Sequence, residues 1–267
     1  MAQPDLPLPG MQDLLRTIAR LRAPDGCPWD RKQTTASMAP CLLEEAFEAA
    51  DALRRGDAAG TLEELGDVLV NVAMIAQIDS ENGGPTLDAA AAAAAAKLVR
   101  RHPHVFGDQR AASAEIAYTR WEEQKRRDRR AEGSDAGALA GVPIALPALL
   151  RAFRLGEKAA RTGFDWPDRA GPRAKIDEEL AELDAAIASG DGAAIAAELG
   201  DVLFSLCNLA RHVGSNPEVA LAATSDKFQR RFAAIEREFG HVLTGRSLAE
   251  LDAAWDRAKA AERRGDG

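Results

Sequence analysis

Glu178-Glu179-Leu180-Ala181-Glu182 is followed, after a spacer of fifteen residues, by Glu198-Leu199-Gly200-Asp201. The same pattern occurs earlier in the chain as Glu44-Glu45-Ala46-Phe47-Glu48 and Glu64-Leu65-Gly66-Asp67, with a spacer of the same length. Each of the five acids in the earlier copy lies 134 positions before its counterpart. Five acids in one register, each inside an apolar pattern, indicate that the chain contains two copies of one structural unit.

The spacing of these acids predicts helices. Residues three or four apart share one helix face, so Glu179 and Glu182 lie together, and the E-x-x-D spacing places its two acids together in the same way. The turn sequences Ser189-Gly190-Asp191-Gly192 and Arg55-Gly56-Asp57 separate the two helices of each copy, which can therefore run back antiparallel. Each copy is predicted to form a helical hairpin that aims about four carboxylates at one point.

Carboxylates that converge in this way need a positive partner. Like charges in a partly buried site repel and raise one another's pKa. A hard divalent cation would relieve the repulsion, and a ligand set of oxygens without histidine or cysteine favours Mg²⁺, or Mn²⁺, over zinc. The sequence therefore predicts a Mg²⁺ site in these hairpins, with a structural, salt-bridged acidic face as the alternative.

The composition limits the class of protein. A length of 267 residues corresponds to about two domains, in agreement with the repeat. Apolar residues make up 46% of the chain and aromatic residues only 5%, which is typical of closely packed helices rich in alanine. The net charge of −8 argues against nucleic-acid binding, because duplex affinity depends on basic residues that neutralise phosphates.

Other features bear on the compartment. Residues Met1–Pro7 lack the charged and apolar regions of a signal peptide, and no uninterrupted apolar run reaches the ~18 residues of a membrane span. The three cysteines, Cys27, Cys41 and Cys207, form no C-x-x-C pair and support neither a disulfide framework nor a structural zinc site. We expect a cytoplasmic protein without membrane contact.

The helix that carries each E-x-x-D motif becomes apolar nearly all round after its aspartate, at residues 68–75 and 202–210. A helix that is hydrophobic on every side is buried on every side, and one hairpin cannot bury it. We therefore expect an all-α protein of two tandem helical-bundle domains, whose four-helix-bundle cores are completed by dimerisation. The predicted limits are a domain at 8–127, a linker at 128–147 and a domain at 148–264.

Several further elements are predicted around the hairpins. Helical spacing and stop signals place a first helix from Pro9 to Arg22 and begin the first acidic helix at Pro40. The next helix is predicted at about 61–78, and Thr86-Leu87-Asp88 begins another. His102-Pro103-His104 is predicted to be a loop, without a third nitrogen or sulfur ligand that would make it a metal site.

Two recurring features suggest contact with a ligand. The loops Cys27-Pro28-Trp29-Asp30 and Gly163-Phe164-Asp165-Trp166-Pro167 each present a tryptophan, which either stacks on a planar ligand or caps the bundle. The segments Lys97–Arg101 and Lys227–Arg231 each place a lysine and an arginine four apart on one helix face, where they suit phosphate oxygens. Because this pair follows each acidic motif, we favour a functional role over a solvated charge.

Together these residues resemble the all-α nucleoside triphosphate pyrophosphohydrolases. E-E-x-x-E, a spacer and E-x-x-D on helices is the signature of that superfamily. Four further segments resemble its tandem MazG type, namely Gly26–Asp30, Arg101–Phe106, Gly163–Trp166 and Lys227–Phe232. The similarity covers nearly the whole chain, from about residue 8 to 262.

The resemblance implies a reaction and a set of roles. The reaction is the Mg²⁺-dependent hydrolysis of a nucleoside triphosphate to the monophosphate and pyrophosphate, by attack of water at the α-phosphorus. The implied catalytic residues are Glu178, Glu179 and Glu182, of which Glu178 orients the water or supports the metal ligands. The implied metal ligands are Glu179, Glu182, Glu198 and Asp201 in the second copy and Glu45, Glu48, Glu64 and Asp67 in the first. The implied substrate contacts are Lys175, Lys227, Arg231 and Lys259 to phosphates, and Trp255 and Trp166 to the base or ribose.

Alternatives remain at three points. The resemblance favours the second half as the main catalytic site and leaves the first structural, regulatory or weakly active. Broad-range clearance of surplus or non-standard nucleoside triphosphates is favoured over a narrow range such as dUTP, dCTP or phosphoribosyl-ATP. The rival classes are a non-catalytic nucleotide-binding helical regulator and a di-iron bundle. The latter needs two Glu-x-x-His motifs, of which only Glu238–His241 has the spacing.

Overall fold

The computed structural model describes residues 8–108, 110–131 and 137–264, and within these ranges the chain forms helices and no β-strand. The described residues divide into two compact units near position 134. The helices of the first unit are α1 (Pro9–Arg22), α2 (Thr35–Arg55), α3 (Ala58–Glu81), α4 (Leu87–Arg101), α5 (Pro103–Phe106) and α6 (Ala114–Ala131). Those of the second are α7 (Ala148–Ala160), α8 (Ala170–Ser189), α9 (Gly192–His212), α10 (Pro217–Glu238) and α11 (Leu248–Arg264). The predicted all-α tandem architecture is confirmed.

The first acidic hairpin consists of α2 and α3, which pack along each other. Its first helix begins at Thr35, five residues before the predicted start at Pro40. The reason is a capping box, in which the Thr34 hydroxyl accepts from the Ser37 N–H and the Ser37 hydroxyl accepts from the Thr34 N–H. Gly56 ends α2 in the left-handed conformation at φ 68°, and Asp57 caps α3 through the Gly60 N–H.

The second acidic hairpin, α8 and α9, repeats this turn. Gly190 follows α8 with φ 71°, a conformation that favours glycine. The carboxylate of Asp191 then accepts hydrogen bonds from the backbone N–H groups of Ala193 and Ala194 at the start of α9. Both hairpins therefore place their acids by the same local device, a left-handed glycine followed by a capping aspartate.

Each unit has its own small core. In the first unit α1, α2 and α3 meet at a cluster of buried apolar residues, which consists of Ile18, Met38, Ala73, Met74 and Ile78. In the second unit α9 packs against both α7 and α8, and α10 contacts α7 and α11. The buried apolar residues there are small or medium in size and include Ile176, Ala186, Val202, Cys207, Ile235 and Ala254.

Apolar side chains also remain exposed on the two helices that carry the E-x-x-D motifs. On α3 they are Leu62, Leu65, Leu69 and Val70, and on α9 they are Leu199, Leu203, Phe204 and Leu206. Such a surface suits burial against a second copy, so dimerisation stays our prediction. Among the described helices, α9 is also long and apolar enough to cross a membrane by length and composition alone. It carries Glu198 and Asp201, and a single helix of this kind is a weak sign of a membrane.

Besides the start of α2, two local predictions are wrong. Residues 128–131, which we assigned to the linker, continue α6, because the Asp128 carboxylate is bound by arginines of α4. His102-Pro103-His104 is not simply a loop, since Pro103–Phe106 forms one helical turn. Proline suits the first position of a helix, where its missing N–H is not needed.

Candidate metal centre

Three glutamates of the second hairpin converge. Glu179 and Glu182 project from α8 and Glu198 from α9, and each offers a carboxylate oxygen within 4.8 Å of the other two. Glu179 is buried, with 5% of its surface exposed, whereas Glu182 is exposed and Glu198 half-buried. Because the cluster is buried on one side and exposed on the other, it could hold an ion between the protein and a bound ligand.

The first hairpin repeats the arrangement. Oxygens of Glu45, Glu48 and Glu64 likewise lie within 4.8 Å of one another. The two aspartates that were predicted as ligands, Asp67 and Asp201, are exposed and stand outside these groups of three. Their charges are nevertheless close enough to raise a glutamate pKa in each cluster, that of Glu45 by Asp67 and that of Glu198 by Asp201.

The electrostatics of the second cluster follow from its geometry. Burial raises the pKa of Glu198 above its ordinary value, and repulsion from Glu182, Asp201 and Glu179 raises it further. Lys175 partly offsets that repulsion. The ionised form of Glu198 is therefore disfavoured, and a divalent cation would relieve the repulsion.

The acids of the first cluster behave in the same way. The pKa of Glu45 is raised first by burial and then by the charges of Asp67, Glu48 and Glu44. The pKa of Glu64 is raised by burial and then chiefly by Glu48 and Glu45. Both copies thus keep the electrostatic character of a cation site.

A lysine distinguishes the second cluster from the first. Lys175 Nζ lies 2.8 Å from Oε1 of Glu178 and 2.7 Å from Oε1 of Glu179. The first of these carboxylates contributes most to raising the pKa of Lys175 above its usual value. At the equivalent position, 134 residues earlier, the first copy has Cys41, so only the second copy pairs its acids with a cation at this point.

The predicted substrate contacts on α10 and α11 form a second group. The Arg231 guanidinium lies 5.5 Å from the ring centroid of Trp255, and the Phe228 ring lies 5.3 Å from it. Lys227 and Lys259 lie on the same two helices and are half-buried. Within the described residues, no hydrogen bond, ion pair or ring contact joins these four predicted contacts to the acids of α8 and α9.

The loop between α7 and α8 places the remaining predicted contact, Trp166. Its indole packs on the first turn of α8, where a β-carbon at Gly171 would lie 2.1 Å from indole Cδ1. Gly171, Lys175 and Glu178 follow one another at helical spacing. Trp166 therefore lies at the N-terminal end of the helix face that carries the acids.

Asp165 fixes that loop. Its carboxylate accepts hydrogen bonds from the Arg211 guanidinium, at 2.8 Å from Nη1, and lies 3.0 Å from Nε2 of His212. These contacts, the one with Arg211 first, lower the pKa of Asp165 to about 2. The tryptophan loop is thereby tied to the C-terminal end of α9.

Sequence reasoning missed two carboxylates that bind the arginines of the K-x-x-x-R segments. Glu262 Oε2 accepts from Arg231 Nε at 2.8 Å and from Nη2 at 2.7 Å. Asp128 accepts from Arg101 Nε at 2.8 Å and from Arg100 Nε at 3.0 Å. The signal that would have found them is the repeat itself, because Asp128 and Glu262 also differ by 134 positions.

Among the described residues, His102 and His104 belong to neither of the two groups of converging potential metal ligands. His102 Nδ1 lies 2.7 Å from the Leu98 carbonyl oxygen, and the rings of His102 and His104 stand 5.5 Å apart. The one Glu-x-x-His spacing also fails as a di-iron motif, because His241 follows the end of α10 with φ 61°.

Comparison with known proteins agrees with this geometry. Residues 33–106 and 172–243, which contain the two acidic hairpins, match the MazG nucleotide pyrophosphohydrolase domain. The chain is 40% identical over 255 residues to a nucleoside triphosphate pyrophosphohydrolase of Escherichia coli (strain K12), and the match covers 93% of this chain and 97% of that protein.

Thermotoga maritima provides two further relatives. A nucleoside triphosphate pyrophosphohydrolase/pyrophosphatase MazG is 39% identical over 251 residues, which covers 93% of this chain and 95% of that protein. The crystal structure of a mazG-related protein is 30% identical and covers 43% of this chain and 98% of its own, with a TM-score of 0.38. From its two matched domains and the full-length similarity, the chain belongs to the MazG nucleotide pyrophosphohydrolase family.

Proposed function

We propose that this chain hydrolyses a broad range of nucleoside triphosphates to the monophosphate and pyrophosphate, with Mg²⁺, mainly at the cluster of the second half. The observation that carries the proposal is the convergence of Glu179, Glu182 and Glu198 within 4.8 Å, on two helices and beside Lys175. Membership of the family and the names of the full-length relatives supply the reaction class.

The residues present suit Mg²⁺. All three donors are carboxylate oxygens, the ligand type that Mg²⁺ prefers. The pKa of Glu198 is raised first by burial and then by a repulsion that a cation would relieve. Glu179, Glu182 and Glu198 would hold the ion, with Asp201 at the edge of the site. A bound Mg²⁺ would neutralise triphosphate charge and lower the pKa of a coordinated water.

The protein side chains have separate tasks in this reaction. Glu178 is exposed beside the cluster and would orient the attacking water and accept its proton. The water oxygen forms a bond to the α-phosphorus while the bond from that phosphorus to the bridging oxygen breaks, and pyrophosphate leaves. Lys175, Lys227, Arg231 and Lys259 would stabilise the charge on the phosphate oxygens.

The second half is favoured as the main site for a reason that is visible in the chain. Both halves keep three converging glutamates. Lys175, which lies beside them in the second half, is replaced by Cys41 at the equivalent position of the first. A cation at this point assists both the neutralisation of the acids and the approach of an anionic substrate.

A substrate panel tests the reaction. The purified chain is incubated with Mg²⁺ and each ribo- and deoxyribonucleoside triphosphate, and pyrophosphate and orthophosphate are measured separately. We expect pyrophosphate from several of the substrates. Orthophosphate as the primary product would move the cleavage to the γ-phosphate and overturn the proposal, whereas a single productive substrate would replace the broad range by a narrow one.

Matched variants test the assignment to the second half. Glu179→Gln and Glu45→Gln remove the same charge at equivalent positions of the two clusters. We expect Glu179→Gln to lower pyrophosphate release by about 100-fold or more, as for loss of a metal-site carboxylate, and Glu45→Gln to have a much smaller effect. The reverse order would assign catalysis to the first half.

We further propose that the chain is a cytoplasmic homodimer that binds neither nucleic acid nor membrane. The exposed apolar faces of α3 and α9 support the dimer, and the net charge of −8 supports the lack of nucleic-acid binding. Light scattering of the purified chain tests the dimer, and a monomer at micromolar concentration would contradict it.

A further inference from the structure

Each half of the chain ends in the same three-part arrangement, outside the acidic clusters. In the second half, the Arg231 guanidinium on α10 lies between the carboxylate of Glu262 and the ring of Trp255, both on α11. In the first half, Arg101 on α4 is bound by Asp128 and lies 5.9 Å from the ring centroid of Trp121, both on α6.

The members of this arrangement occur at corresponding places in the two copies of the repeat. Tryptophan and carboxylate keep the repeat distance of 134 residues, from Trp121 to Trp255 and from Asp128 to Glu262. Arg101 and Arg231 differ by only 130 positions. The first residues of α4 and α10, Leu87 and Pro217, also differ by 130 positions. Each helix is therefore shifted together with its arginine, and each half brings that arginine to an equivalent carboxylate and ring.

The contact with Glu262 fixes how the guanidinium of Arg231 is turned. Nε and Nη2 both donate to the single oxygen Oε2, at 2.8 and 2.7 Å. The Arg231 side chain is only 15% exposed, and within the described residues its Nη1 has no hydrogen-bond partner. One edge of the guanidinium is therefore held, and Nη1 retains hydrogen-bonding capacity for an anion.

The two halves differ in how completely the arginine is bound. Asp128 is buried and accepts from Arg100, Arg101 and Gln124 together. Glu262 is more exposed than Asp128, and its second arginine is more distant, with Arg230 Nη2 3.5 Å from Glu262 Oε1. The first carboxylate has the environment of a structural anchor, and the second that of a support for a group that acts on a ligand.

We propose that Glu262 is a positioning residue for nucleotide binding, which holds the Arg231 guanidinium against Trp255 so that its Nη1 edge donates to a phosphate oxygen of the substrate. The inference rests on the proposed function, since it takes the phosphates of a nucleoside triphosphate as the partner of Arg231. A side chain that is held before binding loses less conformational freedom on binding, so the contribution is to substrate affinity.

Steady-state kinetics of the full-length chain with Mg²⁺ and its best nucleoside triphosphate test the proposal. We expect Glu262→Gln to raise KM about tenfold while kcat stays within about twofold, the pattern of lost uniform binding. Glu262→Asp should bring KM back to within about threefold of wild type, because an aspartate at position 128 holds the corresponding arginine of the first half. Asp256→Asn is the matched control, since it removes one negative charge from the exposed side of the same helix.

The possible results distinguish failure of the positioning role of Glu262 from failure of the proposed function. If the wild-type chain releases pyrophosphate and Glu262→Gln has the KM of Asp256→Asn, the positioning role is wrong and the proposed function stands. A lower melting temperature with unchanged KM would likewise reduce Glu262 to a structural contact. If Glu262→Gln fails to fold, the KM of Glu262→Asp tests the positioning role instead. A KM for Glu262→Asp as high as that of Arg231→Ala would contradict the role. A wild-type chain that releases no pyrophosphate from any triphosphate would overturn both.

Discussion

The indole of Trp166 lies so close to Gly171 that a β-carbon at position 171 would stand 2.1 Å from indole Cδ1 and 2.4 Å from Cγ. Gly171 is the second residue of α8, and it is required by this contact with a neighbouring side chain. The Asp165–Arg211 ion pair holds the same loop from the other side. Trp166 is therefore pressed onto the start of the helix that carries Glu178, Glu179 and Glu182.

Gly171→Ala should displace this tryptophan. The added methyl group overlaps the indole, and overpacking of this kind costs about 1–3 kcal/mol, even though alanine is the better helix former. We expect a lower midpoint of urea unfolding and a changed tryptophan emission spectrum. If Trp166 also contacts the nucleotide, KM rises with little change in kcat.

Gly192→Ala is the control for that change. Gly192 is the first residue of α9, and a β-carbon there meets no atom within 4 Å. The control should be neutral or slightly stabilising. Equal behaviour of the two variants in unfolding and in fluorescence would show that the indole does not rest on Gly171.

Lys175 neutralises part of the negative charge that a metal ion would bind. Its Nζ lies 2.7 Å from Glu179 Oε1, so Mg²⁺ must compete with it for that carboxylate. We expect Lys175→Met to tighten the Kd for Mg²⁺ alone by about tenfold, an effect of about 1.4 kcal/mol, as measured by calorimetry without nucleotide. Triphosphate turnover should nevertheless fall, because the proposed contact of Lys175 with a phosphate is lost.

Lys32→Met is the matched control, since Lys32 is an exposed lysine of the first unit outside the acidic hairpins. It should leave the Mg²⁺ affinity unchanged. Weaker Mg²⁺ binding by Lys175→Met would mean that the lysine supports the ligands in the metal-bound state, against the competition inferred here.

The acidic hairpins could be predicted from the sequence because every step in their formation is local. Helical spacing sets which acids share a face, and a glycine followed by a capping aspartate sets each turn. The start of α2 was misplaced because Thr34 and Ser37 form their capping box before Pro40, which was taken as the first helical residue.

Features that depend on contact across the chain were not readable in this way. Asp128 stands in a run of basic residues that resembles a solvated linker, and its role appears only when α6 meets Arg100 and Arg101 on α4. The packing of Trp166 against Gly171 depends on the path of the loop before α8, which helical periodicity in the sequence does not predict. The ligand roles of the glutamates and of Asp67 and Asp201 all remain predictions, and among the described acids the three glutamates of each cluster converge most closely.

Asp128→Asn should destabilise the first unit. Asp128 is 7% exposed and bound by two arginines, and removal of one partner from such a buried pair costs about 3–5 kcal/mol. Glu123→Gln is the control on the same helix, since Glu123 pairs at 3.5 Å with the exposed Arg127 and should cost less than about 1 kcal/mol. Urea unfolding measures both, and equal losses would contradict the buried pair.

The pH dependence of that loss has a defined sign. Arg100 and then Arg101 hold the pKa of Asp128 well below its ordinary value of 3.8. Because the folded pKa is depressed, the contribution is complete above about 3.8 and is lost as the pH falls through the folded pKa. The gap in unfolding free energy between wild type and Asp128→Asn should therefore be constant at neutral pH and narrow only in strong acid.

Glu198→Gln should make the metal-free chain more stable and the metal-bound chain less so. Burial and the charges of Glu182, Asp201 and Glu179 raise the pKa of Glu198 above 4.5. A group with a raised folded pKa binds more protons in the folded than in the unfolded state, so stability declines as the pH rises above about 4.5. In EDTA, the melting temperature of wild type should fall over this range, and that of Glu198→Gln should fall less and be higher at pH 7.

Addition of Mg²⁺ should reverse the order, because Mg²⁺ stabilises a fold that binds it by mass action and the amide variant lacks one carboxylate ligand. Pyrophosphate release by the variant should drop about 100-fold. Asp184→Asn on the exposed part of α8 is the control for loss of one charge and should leave the pH profile and the Mg²⁺ response of wild type intact. If Glu198→Gln were less stable than wild type in EDTA at pH 7, Glu198 would have a favourable partner in the folded chain. The repulsion between carboxylates on which the metal proposal depends would then be absent.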